Sequence, residues 1–190
     1  MKVVIEYVKM ILIVVIVVVI VDGVILINAK IPSASMEKTI MTGDRIFGFR
    51  MAYGINLDAG PLQVHVKMKE PERYDIVIFH FPDNEKKLFI KRIIGLPGET
   101  LEFRDGKIYV DGSDEPLDDS FTNGVTYFRN PSYPEGTVTV PEGHYFMMGD
   151  NRQNSNDSRF WHNKFVAFDK IVGKALVRYW PITKPKILWE

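Results

Sequence analysis

The feature that most limits what this chain can become is the apolar segment near its N-terminus. Met10 to Val21 is an unbroken run of methionine, isoleucine, leucine and valine, followed by Asp22-Gly23 and a shorter apolar piece, Val24 to Ile27. Wound as a helix, Met10–Ile27 would be about 27 Å long, at roughly 1.5 Å per residue. A bilayer core is about 30 Å thick, so the segment just spans it. Asp22 opposes that reading, because a charge at mid-bilayer costs roughly 2.5–3.5 kcal/mol, but its place towards one end lets it approach the interface. A cleavable leader fits the same residues: Lys2 and Lys9 as a basic start, a short apolar centre, then small residues around Ala29 or Ala34. The segment alone leaves both readings open. What separates them is whether the folded domain needs the residues that follow. The expected organisation is a short N-terminal piece (1–9), a membrane helix (10–27) and one body (31–190).

The body reads as mainly β. Arg45–Phe49, Pro61–Met68, Asp75–Phe81 and Leu88–Ile94 are strand-like, being β-branched, aromatic or alternating at the period of a half-buried strand. Asp105-Gly106 between Thr100–Phe103 and Lys107–Val110 is a strong short hairpin signal. Thr137–Val140, Tyr145–Met148 and Ile171–Tyr179 add further strands, while Asp111–Gly136, rich in Asp, Gly and Pro, reads as a loop or small inserted subdomain. With 190 residues, one domain of ordinary size is expected. The formal net charge is zero, which gives no electrostatic case for nucleic acid. The absence of cysteine excludes thiol catalysis, disulfides and thiolate metal sites.

Directly after the apolar segment comes Ile31-Pro32-Ser33-Ala34-Ser35-Met36. Two hydroxyls one residue apart at a membrane surface suggest a nucleophile, although serine-rich turns are also ordinary loop chemistry. A serine nucleophile needs a base, and the four histidines (His65, His80, His144, His162) have no motif-like neighbours. Lysine serves as base in Ser–Lys variants of nucleophilic catalysis. Lys91 lies within Phe89-Ile90-Lys91-Arg92-Ile93-Ile94, where strand alternation turns its amine to one face and Arg92 to the other. A free lysine titrates near about 10.4, and lowering that by about three units needs roughly 4 kcal/mol of ammonium destabilisation, which apolar burial supplies. The plain alternative is an edge-strand lysine with its head in solvent.

A dense polar loop, Gly149-Asp150-Asn151-Arg152 through Ser155-Asn156-Asp157-Ser158-Arg159, follows an apolar strand. It starts like a calcium loop, but Arg152 takes the third ligand place and no glycine stands at the sixth, so no metal is expected. It reads either as an Asx-rich turn or as a network in which Asp157 pairs with Arg159 and Ser155 turns its hydroxyl to the lysine amine.

Taken together, Pro32–Met36, Gly43-Asp44, Asp75-Ile76-Val77, Ile90-Lys91-Arg92-Ile93-Ile94-Gly95-Leu96-Pro97-Gly98 and the loop from Gly149 to Arg159 resemble the type I signal peptidases, membrane-bound Ser/Lys proteases, in the order that family has them. The resemblance implies a β-barrel-like catalytic fold behind one N-terminal transmembrane helix. It further implies removal of signal peptides from exported preproteins after small-x-small sites, without cofactor or metal. Ser35 is then the nucleophile and Lys91 the general base. The Ser35 N–H and the Ser33 hydroxyl form the oxyanion hole, Ser155 holds the amine, Asp157 and Arg159 brace the loop, and Gly149 allows close backbone approach. The implied partners are signal peptides and the lipid bilayer. Lys2 and Lys9 are matched by Lys30 and Lys38 beyond the span, so the orientation, N-terminus cytoplasmic and catalytic domain extracytoplasmic, also comes from the resemblance. Lysine at 91 points to the bacterial type. The chain departs from the family at Lys38, often proline, and Tyr74, often glycine, which bears on turn geometry and not on chemistry. Two other readings are a self-cleaving Ser/Lys regulator, which would need a DNA-binding region or cleavable linker before the serine, and a membrane-tethered, non-enzymatic β-domain.

Overall fold

The computed structural model describes residues 2–59, 62–122 and 136–188, without the side chains of residues 2, 19, 20, 22, 56–59 and 62–65. A helix, α1 (Lys2–Ile20), runs into one π-helical turn, Val21–Ile25. The apolar stretch Val3–Ile25 is long and apolar enough to cross a membrane, and none of it is buried in the protein. At roughly 1.5 Å per residue its 23 residues reach about 34 Å. The helix thus begins before Met10, since Val3 to Val8 contains no breaker. It also stops before Ile27, because Leu26–Lys30 forms a strand, β1, paired antiparallel with β2 (Arg45–Phe49) from Leu26↔Phe49 to Lys30↔Arg45. The side chain of Asp22 lies outside the described residues.

From β1 onward the chain is mainly β. The remaining strands are β3 (Gly54–Ala59), β4 (Leu62–Lys67), β5 (Ile76–Phe81), β6 (Asn84–Gly95), β7 (Thr100–Arg104), β8 (Lys107–Val110), β9 (Gly136–Thr139), β10 (His144–Met148), β11 (Phe165–Ala167), β12 (Ile171–Trp180) and β13 (Lys186–Ile187). The principal sheet has the order β1-β2-β12-β5-β6-β10-β11, with β13 added to β12; β3–β4 is a separate hairpin and β8-β7-β9 a small third sheet. The Asp105-Gly106 hairpin forms as its sequence predicts, both residues taking positive φ (51° and 71°) between β7 and β8. Asp111 to Thr122 is loop, and residues 123–135 of the expected insertion lie outside the described residues.

The unbroken apolar run Ile76–Phe79 of β5 has a structural reason: both of its faces are covered. Ile76 and Ile78 enter a cluster with Ile27, Ile31, Met36, Ile40 and Ile46, while Val77 and Phe79 enter another with Ile93, Tyr145, Met147 and Trp161. A strand alternates its side chains, so a strand buried on both sides must be apolar throughout. Beyond β10 the small sheet packs Leu101, Phe103 and Ile108 against Ile94, Phe146 and Met148. β6 changes character along its length: exposed from Asn84 to Leu88, it is buried from Lys91 to Gly95. Lys91 sits at that boundary.

Candidate active site

Ser35 is the middle residue of a single 3-10 turn, Ala34–Met36, between β1 and β2. Met36, fully buried in the first cluster, anchors this turn by its neighbour in sequence, so the serine does not depend on loop preference for its place. Lys91 comes from the middle of β6, paired with Val77 of β5. Its Nζ donates to Ser35 Oγ across 2.5 Å, and the Ser33 Oγ lies 3.4 Å from the same oxygen. The Ser35 N–H belongs to the first turn of its helix, where no intrahelical acceptor exists. The Lys91 amine, the Ser33 and Ser35 hydroxyls and the Ser35 N–H are therefore gathered in one place.

Lys91 is 4% exposed, which excludes the solvent-headed edge lysine. Burial pushes its amine down to about 8; Asp157 and Asp150 pull it up, and Arg159 pushes it down again. The Phe89 ring, with Nζ 5.6 Å from its centroid, forms part of the apolar wall. At pH 7 about one molecule in ten then carries the free amine, against about one in 2,500 for an unperturbed lysine. Such a lysine can act as a base at neutral pH.

The polar loop forms the expected network, with one difference. Arg159 clasps Asp157 through Nε (2.7 Å) and Nη2 (2.8 Å), both residues fully buried. Burial alone would raise the Asp157 carboxyl; Arg159 and the Gly149 N–H, 3.0 Å from Oδ2, hold it below the usual range. Arg92, alternating away from Lys91, is also buried, in a bidentate pair with Asp150 (2.8 and 2.6 Å). Ser155 is the difference. Its buried hydroxyl stands near enough to Asp157 to help keep it ionised, but makes no geometrically sound hydrogen bond, to the Lys91 amine or otherwise.

Asn151, which the sequence leaves without a role, holds the Ser35 turn directly. Its N–H donates to Ser35 O (3.1 Å) and its Nδ2 to Ala34 O (3.0 Å). Asx side chains within turns are too common for this to show in the sequence. Gly149 supplies the close approach beside it: a Cβ there would overlap both the Ser35 carbonyl oxygen and the Ser155 side chain. We expect Gly149→Ala to lower kcat about 100-fold by displacing Ser35, with a much smaller effect on KM, measured on one peptide substrate beside the parent. Retention of full kcat would show that the loop gives way without moving the serine. At the two positions departing from the family pattern, Tyr74 takes φ 73°, where glycine rests freely, and Lys38 takes φ 86°, which a proline ring forbids.

Comparison with known proteins agrees with this geometry. The family model described as signal peptidase, peptidase S26, matches residues 4–180. A probable signal peptidase I-2 of Synechocystis is 36% identical over 165 residues, covering 84% of this chain and 66% of its own. A signal peptidase I of Pseudomonas aeruginosa is 34% identical over 190 residues, covering 82% of this chain and 66% of its own. This chain thus spans slightly less than two thirds of the length of these relatives. A solved signal peptidase I from Enterococcus faecalis is 35% identical and overlays with a TM-score of 0.44, covering 57% of this chain and 98% of that one. With the family model matching almost its whole length, this chain belongs to the signal peptidase family, peptidase S26.

Proposed function

We propose that this chain is a membrane-bound serine endopeptidase that removes signal peptides from exported preproteins, cutting after small-x-small sites. The observation that carries the proposal is the buried Lys91 amine, lowered to about 8, in hydrogen-bond contact with Ser35 Oγ. In the proposed reaction neutral Lys91 takes the Ser35 proton as Oγ attacks the scissile carbonyl. The Ser35 N–H and Ser33 hydroxyl receive the negative charge that develops on the carbonyl oxygen. The Lys91 ammonium then gives its proton to the leaving amine, and the regenerated free amine activates the water that hydrolyses the Ser35 ester. Asp157, Arg159 and Gly149 keep the loop in place around the pair, and Ser155 packs against Gly149.

Substrate binding is proposed for the groove of about 490 Å3 lined by Ile27, Ala29, Ile31, Ile78, Phe89 and Ile90. It lies between β1, an edge strand of the principal sheet, and the middle of β6. An extended peptide there adds as a strand, held through its main chain, while its side chains meet shallow apolar walls that favour small residues. The groove begins at Leu26, one residue beyond the apolar helix. That continuity supports a single-pass anchor with the site at the bilayer surface; the proposed orientation, N-terminus cytoplasmic and catalytic body extracytoplasmic, rests on the family resemblance.

The test is cleavage of a peptide carrying a small-x-small site by the detergent-solubilised protein, with the cut mapped by mass and followed from pH 6 to 10. The sign follows from the base: activity needs the neutral amine, so kcat/KM rises with pH, tenfold per unit below about 8, and levels above it. A flat profile, or cutting elsewhere in the peptide, would exclude the proposed mechanism.

A further inference from the structure

Among the described residues, four other than glycine hold positive φ: Lys38, Tyr74, Asp105 and Asp111. The two aspartates follow strand ends in turns, where a short polar side chain tolerates this conformation. Lys38 and Tyr74 gain no such relief, and a conformation of that kind persists only where the surroundings fix it. Both lean on the same five residues, Asp118–Thr122. The Lys38 Nζ donates to Ser120 O (2.7 Å) and Thr122 O (2.5 Å), more than eighty residues away in sequence. The Tyr74 ring meets the Phe121 ring edge-on at 5.4 Å.

The same five residues reach the other side of the site. The Phe121 ring lies against the Arg92 guanidinium, 4.2 Å from centroid to Cζ, and Arg92 is the partner of Asp150. Asp119 accepts from Arg152 at 2.7 and 3.2 Å. Between Asp150 and Arg152 stands Asn151, which holds the carbonyls of Ala34 and Ser35. The contacts close a ring: from Ser35 forward to Lys38, across to Asp118–Thr122, through Arg152 to Asn151, and back to Ser35.

We infer that Lys38 is a positioning residue for Ser35: by gripping the two strap carbonyls it holds the nucleophile's turn in the position that sets Oγ against the Lys91 amine. This rests on the Ser35/Lys91 reading proposed above. Asn151 fixes the turn at Ala34 and Ser35, Met36 fixes it from the core, and Lys38 fixes it on the downstream side. Lys38 is itself exposed, so its ordered place comes from the two hydrogen bonds and not from burial. Lys38 is not among the residues that line the proposed substrate groove.

The test compares Lys38→Gly, Lys38→Met and Lys38→Arg with the parent, using the full chain in detergent and the small-x-small peptide. Lys38→Gly relieves the backbone conformation and removes the cation, so a merely structural lysine predicts full kcat with an equal or higher Tm. The positioning role predicts that Lys38→Gly and Lys38→Met each lose about tenfold in kcat per folded molecule, with KM within about twofold. It also predicts that the rising limb of the pH profile stays in place and that Lys38→Arg recovers most of the loss. Full kcat in either Lys38→Gly or Lys38→Met overturns the inference, as does a loss wholly accounted for by unfolded protein in the thermal melt. Ser35→Ala run in parallel separates the two failures: if it still cuts, the nucleophile assignment is wrong, whereas an inactive Ser35→Ala beside fully active Lys38 variants rejects only the positioning role.

Discussion

Lys91→Met is expected to give a protein that is inactive yet more stable than the parent at pH 7. Catalysis is lost because no other described group hydrogen-bonds to Ser35 Oγ as a base; loss of a member of a nucleophile–base pair typically costs on the order of 10⁴-fold or more in kcat. Stability moves the other way. The amine is held at about 8 in the folded protein against its ordinary value of 10.5. The unfolded chain therefore binds more protons than the native one between these values, and stability rises with pH through that window. Below pH 8 the whole cost is present, about 3 kcal/mol as an upper figure for a shift of that size. Methionine fills a similar volume without the charge, so it removes the cost. The gain should appear as a higher Tm at pH 7 that shrinks as pH approaches about 10.5 and vanishes above it. A Tm equal to the parent's at pH 7 would mean that the amine is well solvated, and the argument for its basicity would fall with it. Ser35→Ala should show the same loss of turnover without the pH-dependent gain.

Arg159→Met is expected to be the most destabilising change near the site. Arg159 and Asp157 are both fully buried, and removing one member leaves the other's charge unpaired, which costs roughly 3–5 kcal/mol. For a chain of this size the corresponding fall in Tm is about 10 °C or more. A second effect is chemical. Arg159 lowers the Lys91 amine while Asp157 raises it, so taking away the cation and leaving the anion moves the lysine upward. The pH–rate profile of the surviving folded protein should therefore shift to higher pH, with the plateau reached later. An unshifted profile would show that Asp157 takes up a proton when Arg159 is lost, and that the pair acts on the loop alone. Thermal melts and kcat/KM across pH 6 to 10 measure both effects on one preparation.

The amino-acid sequence by itself determined the local features. Alternation and β-branched runs marked β2, β5, β8 and β10, and Asp105-Gly106 marked the β7–β8 turn, because side-chain period and turn chemistry act over a few residues. The flanks of Lys91 showed that its amine had apolar surroundings available, and the pairing of Asp157 with Arg159 was one of the two readings the polar loop allowed. β1 was not legible. Val24 to Ile27 continues the apolar composition of the helix, and only the ladder with β2 makes Leu26–Lys30 a strand. The place of the Ser155 side chain, packed against Gly149 and buried, was equally hidden.

The tertiary structure alone decided which distant groups meet. Lys91 reaches Ser35 over 56 residues, Asn151 reaches Ala34 over 117, and Lys38 reaches Thr122 over 84. No periodicity or turn preference encodes such separations. They are fixed when the sheets bury the three clusters at once and strands far apart in sequence become neighbours. The residue types suited to the chemistry are a property of the sequence; their meeting within hydrogen-bond distance is a property of the packed core.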